Sequence, residues 1–241
     1  PNNPLDVARA PGATVLLVEN TPTTGVADMF LSLRSQQGSA VLPWATYRDT
    51  SIINRRGIND FAAVETSNNS VISADTKDLY TLGSDVANWE TDKTLSEFGI
   101  SGFGDSRSAF SDGRDPLSYS QTKSDASGYA LRFFAPVAGT VSISDRLTLT
   151  GGAILVGSEV IGGTKIIKDG ELTVGSIAPA QLPWNNGDGT VDFLIHNYNA
   201  SKEFTIASNI VNNSTASLAV NVVQGGWGTT YLTGENTYSG T

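Results

Sequence analysis

Cysteine is absent from the 241 residues, and histidine and methionine occur once each. Without cysteine there is no disulfide, no thiolate metal site and no catalytic thiol. With one histidine, a multi-histidine metal site cannot form within this chain, and a Ser-His-Asp triad could use only His196. Basic residues are also few: 15 Lys and Arg against 24 Asp and Glu give a formal net charge of −9. Nucleic-acid binding needs a basic patch that neutralises phosphates, so this balance argues against such a partner. No apolar run approaches the roughly 18 residues that suggest a membrane span. The chain carries no initiator methionine or signal sequence, and it stops at Thr241 inside a motif-like phrase. The expectation is a processed or excised piece of something longer.

What is present points to short strands. Glycine makes up 25 residues, charged residues are only 16%, and Ser, Thr, Asn and Val are abundant. Lys, Glu and Leu, the usual helix builders, are scarce for a helical protein. β-branched residues punctuated by Gly, Asn and Asp indicate many short strands. The composition is that of extracellular β-proteins.

Charge divides the chain unevenly. Residues 1–127 hold 26 charged residues and residues 128–241 hold 13. The second part parses into strand-like runs at 129–134, 140–143, 147–150, 153–156, 164–167, 171–174, 191–195, 203–206, 217–222 and 229–233. Apolar residues alternate within them: Val141/Ile143, Leu147/Leu149, Leu172/Val174, Phe193/Ile195 and Phe204/Ile206. Period two places these on one face. In the first part, 13–19, 30–33, 40–42, 45–47 and 61–65 are strand candidates. Residues 75–127 read as an acidic, loop-rich insertion, with room for a short helix over Asp85–Phe98.

Two architectures fit: a sandwich or barrel of antiparallel hairpins, and a β-solenoid. The turns follow no strict hairpin rhythm. Asn-rich bends at Asn185-Asn186, Asn209 and Asn212-Asn213 suit stacked coils, in which like residues form ladders. The pattern leans to the solenoid.

The end of the chain carries a more specific signal. Residues 229–241 read TTYLTGENTYSGT. This resembles the L-x-L-x-G-x-N-T-Y-x-G-x-T signature of the autotransporter-associated β-strand repeat of large bacterial surface and secreted proteins. The matching residues are Gly234, Asn236, Thr237, Tyr238 and Gly240, a structural repeat motif. The run into it, ASLAVNVVQGGWGTTYLTG, is similar to the family's, with Gln224, Trp227 and Tyr231 replacing the small or aliphatic residues expected there. His196, in VDFLIHNYNASKEFTIASNIVNN, falls on the family's usual histidine. The resemblance extends over most of the chain outside 75–127.

The resemblance implies an all-β, right-handed parallel β-helix (β-solenoid), with an irregular insertion around 75–127. It would be a single domain over 1–241: N-terminal coils at 1–74, the insertion, and regular coils at 128–241 ending in the motif. It implies an extracellular or cell-surface structural or adhesive segment, not an enzyme, with no cofactor. Its partners would be further coils, its own copies end to end, or surface glycans. At roughly 20–25 residues per coil, the chain would make about ten coils and a rod on the order of 50 Å.

Other constellations have a functional and a plainer reading. His196 is a candidate base, or a structural histidine: if Phe193 and Ile195 face inward, it points outward or caps a turn. Asn185, Asn186, Asp188 and Asp192 place oxygens around glycines, as Ca²⁺ requires, but also as an ordinary Asn/Gly turn would. Asp112, Arg114 and Asp115 could serve a polysaccharide-acting lyase or hydrolase, or form a solvated turn. Trp44, Trp89, Trp184, Trp227, Tyr47, Tyr198 and Tyr231 could stack sugars in a carbohydrate-binding module, or pack against the core.

Overall fold

The computed structural model describes residues 5–6, 10–19, 31–32, 41–49, 59–65, 70–73, 80–82, 94–96, 119–121, 126–133, 138–158, 163–175 and 188–241. Every regular element among them is a strand. The first six are β1 (Leu5–Asp6), β2 (Val15–Glu19), β3 (Leu31–Ser32), β4 (Val41–Asp49), β5 (Asn59–Glu65) and β6 (Ser70–Ser73). Then come β7 (Tyr80–Leu82), β8 (Thr94–Ser96), β9 (Tyr119–Gln121), β10 (Ala126–Phe133), β11 (Gly139–Ile143) and β12 (Arg146–Val156). The last are β13 (Lys165–Lys168), β14 (Glu171–Val174), β15 (Thr190–Asn197), β16 (Phe204–Ile206), β17 (Asn209–Ile210), β18 (Ala219–Gly225) and β19 (Thr230–Leu232).

Chain order and sheet order differ in a regular way. The strands from β10 onward feed two sheets in which every pair is parallel. One sheet runs β7-β8-β10-β12 and then forks. The first half of β12 pairs β14, which pairs β17; the second half pairs β15, which pairs β18. The other sheet runs β9-β11-β13-β16-β19. Paired residues lie 21 apart for Ala126 and Leu147, 25 for Leu147 and Leu172, and 26 for Val141 and Ile167. The interval widens to 41 for Ile154 and Ile195, because the chain between them also passes through 176–187, outside the described residues.

The core lies between these sheets. Leu147, Leu172 and Ile210 occupy successive rows, as do Leu131, Ile154 and Ile195, and in the other sheet Val141, Ile167 and Ile206. Phe133 and Phe204 meet across the interior with ring centroids 5.5 Å apart. Each such side chain contributes roughly 1.5–3 kcal/mol by leaving water.

Corners also stack. Asp169-Gly170 turns the chain between β13 and β14, both with positive φ (61° and 51°). A Cβ on Gly170 would collide with Asp145 in the row before, whose carbonyl accepts from Glu171 N–H at 2.7 Å. The row after follows suit: Asn209 N–H donates to the Gly170 carbonyl at 3.1 Å. The repeated constraint is close backbone approach at a bend.

A separate four-stranded sheet, β2-β4-β5-β6, packs on the outward side of β12 and β15. Its β2–β4 pair is parallel, but β4–β5 and β5–β6 are antiparallel. N-terminal coils were expected over 1–74; among the described residues, the strands of 41–73 form an antiparallel meander. An irregular insertion was expected around 75–127. Within 75–127, β7, β8 and β9 add parallel rows to the two sheets, and Thr94–Ser96 is strand where a helix over Asp85–Phe98 was expected. The rest of that stretch lies outside the described residues. Six rows stack in the larger sheet among the described residues, about 24 Å at ~4.8 Å per row.

Candidate functional site

The C-terminal motif forms the outermost row. Thr233 N–H donates to the Ile206 carbonyl at 2.9 Å, which carries the chain out of β19 in step with the row beneath. A Cβ at Gly234 would land on the Ser208 carbonyl oxygen, so this corner admits only glycine without a shift. Asn236 Oδ1 then accepts from Ile210 N–H at 2.9 Å, while Thr237 N–H donates to the Ile210 carbonyl at 3.0 Å. Tyr238 packs partly buried against the core. Gly240 lies directly on Val220, with its N–H to the Val220 carbonyl at 3.1 Å.

Other asparagines do the same work. Asn209 Oδ1 accepts from Glu235 N–H at 2.8 Å, and Asn212 Oδ1 from Ser239 N–H at 3.1 Å and Val220 N–H at 3.0 Å. Asn213 Nδ2 donates to the Val174 and Gly175 carbonyls at 3.0 and 3.1 Å. Asn221 Oδ1 accepts from Thr241 N–H at 3.0 Å. Bends leave backbone groups that a strand ladder cannot pair, and burying them unpaired is costly. A short amide side chain reaches the next row and pairs them. Asn236→Ala is expected to cost about 1–2 kcal/mol, read from the urea midpoint. Asn236→Asp, which keeps the accepting oxygen, is expected to lose less.

His196 behaves otherwise than a solvent-facing base. Phe193 and Ile195 do face the core, and His196 points the other way. The β4–β5 layer covers that side, so the ring is 0% exposed. Its Nε2 lies 2.7 Å from the Pro43 carbonyl, an acceptor only, so Nε2 carries the proton. Phe61 meets the ring edge-on at 6.1 Å.

The two described acidic residues of 185–192 are separated in role. Asp188 is exposed and closes a turn on Thr190: Oδ1 accepts from the hydroxyl at 2.6 Å and the N–H at 3.0 Å. The hydroxyl contact first, then the N–H contact, hold its carboxyl below the ordinary value of 3.8. Asp192 is buried and accepts from Gly12 N–H at 2.6 Å and from Asn221 Nδ2 at 3.1 Å, fastening the N-terminal segment over β15 and β18. No three His, Asp or Glu side chains among the described residues group as metal ligands. Asn185, Asn186, Asp112, Arg114, Asp115, Trp89 and Trp184 lie outside the described residues.

The aromatic candidates divide. Trp44 and Tyr47, on β4 of the outer sheet, are buried. Tyr198 is buried, its hydroxyl 2.6 Å from Thr46 Oγ1. Burial pushes the phenol above 10.0, and the Thr46 contact only partly offsets it. A folded-state value above the unfolded one gives stability that is full below pH 10.0 and is lost as pH rises through the folded value. Alkaline titration by tyrosinate absorbance is expected to show a late-ionising tyrosine that Tyr198→Phe abolishes.

Trp227 and Tyr231 are half-exposed, at 51% and 43%. Gly226 (φ 86°) and Gly228 press against Asn197, and Gly228 N–H donates to the Asn197 carbonyl at 2.8 Å. Gln224 Nε2 ties the turn to the Gly225 and Gly228 carbonyls at 3.1 and 3.3 Å. Trp227 therefore stands on a rigid turn. It meets Tyr198 edge-on at 4.7 Å, with the Arg48 guanidinium 6.0 Å from its ring. Sequence reading missed Arg48; the signal was its alternation with Thr46 on β4, but nothing local tied it to residue 227.

Comparison with known protein families, curated proteins and solved structures gave no match. No helix among the described residues is long and apolar enough to cross a membrane.

Proposed function

We propose that the strands β10 to β19 wind as a right-handed parallel β-helix, and that the chain is a non-enzymatic structural or adhesive segment of a bacterial surface or secreted protein of the autotransporter-associated repeat type. The observation that carries this reading is the terminal motif: Gly234, Asn236, Thr237 and Gly240 each bond to or abut the row beneath, as a repeating unit of a coil must. The all-parallel pairing from β10 onward supports the coil, and parallel crossovers are overwhelmingly right-handed. Such a stack resists unfolding without disulfides, which suits a mechanical role outside the cell.

Its open face is the outer edge of β19 and of the motif row at 233–241, which covers β17 and β18 and bonds only inward among the described residues. Unpaired edges add strands, so end-to-end assembly of copies or coils follows. Sedimentation velocity over a concentration series, with negative-stain imaging, tests this. Elongated end-to-end species that grow with concentration are expected; a compact monomer at every concentration contradicts it. A second reading, carbohydrate binding, is favoured specifically by the half-exposed Trp227 beside Arg48.

A further inference from the structure

We infer that Trp227 and Arg48 form a binding site for an acidic sugar, a uronate within a surface or matrix polysaccharide. The inference rests on the adhesive side of the proposed function and names its ligand. Two features carry it. The indole is held half out of the protein on a turn whose flanking residues, Gly226 and Gly228, have no side chains to cover it. Arg48 lies beside it, half-buried, with its guanidinium 6.0 Å from the ring and its buried Nε without a hydrogen-bond partner.

The chemistry of the two groups is complementary to one residue type. The electron-rich indole face accepts the weakly positive C–H face of a pyranose. A guanidinium forks onto a carboxylate through two parallel N–H donors. A uronate carries both an apolar ring face and a carboxylate held rigidly to it. The separation of 6.0 Å is at the outer limit of a cation–π contact, so Arg48 is not committed to the ring. Gln224 holds the turn in place through its amide, which leaves the site rigid before a ligand arrives. The net charge of −9 opposes an anionic ligand little, since charges more than about 8 Å from it are largely screened at physiological salt.

The test is titration of the full chain with α-1,4-trigalacturonate and, separately, with its methyl ester, followed by the Trp227 indole N–H resonance. That resonance is identified by its loss in Trp227→Phe. Saturable shifts with the acid are expected, with affinity at least about tenfold weaker for the ester and for Arg48→Met, and partial recovery in Arg48→Lys. Equal affinity for acid and ester, an unchanged affinity in Arg48→Met, or no shift with the acid overturns the inference. An acidic peptide, Ac-Asp-Glu-Asp-NH2, that binds as well as the sugar overturns it too. Sedimentation of the same samples keeps the scaffold reading separate: assembly with no sugar binding sinks this site alone, and sugar binding by a compact monomer sinks the assembly alone.

Discussion

Asp60→Ala is expected to destabilise the protein by about 3–5 kcal/mol, a large part of the 5–15 kcal/mol that holds a typical domain folded. Arg132 on β10 points outward, in the same column as Leu155 and His196, and the outer sheet closes over it. Its Nε lies 3.4 Å from Asp60 Oδ1, and the two side chains are 2% and 3% exposed. Asp60 Oδ1 also accepts from Phe61 N–H at 2.8 Å. Removing the carboxylate takes away a counter-charge 3.4 Å from a guanidinium in a layer that excludes water. Removing both charges does not, so Asp60→Leu with Arg132→Met is expected to recover most of the loss. Urea midpoints at unchanged slope measure both. A single variant as stable as the parent would mean that the outer sheet does not sit on β10.

Phe204→Ala is expected to cost about 3–5 kcal/mol through lost burial and the cavity left behind. Phe204 belongs to the smaller sheet and Phe133 to the larger, so their contact at 5.5 Å ties the two together in the interior. Both are fully buried. Since they share one contact, Phe133→Ala and Phe204→Ala combined are expected to cost less than the sum of the two. Strict additivity would place the rings apart. Conservative Phe204→Leu keeps most of the volume and is expected to lose well under half as much.

The core face was legible in the sequence and the outer layer was not. Val141, Ile143, Leu147, Leu149, Leu172, Val174, Phe193, Ile195, Phe204 and Ile206 all read as inward from period two, and all lie in the core. Alternation reports which face is apolar; it does not report what covers the other. Yet a second signal was present. Ala153–Val156 and Phe193–Ile195 are unbroken apolar runs, the mark of strands buried on both faces. Those are the stretches that meet the outer sheet, which is why His196 is enclosed. Strand direction has no such mark: β4, β5 and β6 have the same composition whether they pair parallel or antiparallel. The three-residue strands β7, β8 and β9 were too short to stand out from an acidic, glycine-punctuated background. At the C-terminal motif, Gly234 and Asn236 were singled out by the family resemblance, but Arg48 meets Trp227 only through the fold.

The central claim is that rows of strand stack in parallel, one turn of chain apart. A chain without native cysteine allows a direct measurement. Ser142 and Lys168 are register partners on β11 and β13, on the face away from the core. Directly paired strand residues fall within the Cα separation a disulfide needs, about 4.4–6.8 Å. Ser142→Cys with Lys168→Cys is expected to oxidise to an intramolecular disulfide while the fold is kept. Thr140→Cys with Lys168→Cys, two residues out of register, is expected not to. Failure of the first pair to close, or equal closure of the second, would contradict the parallel stack.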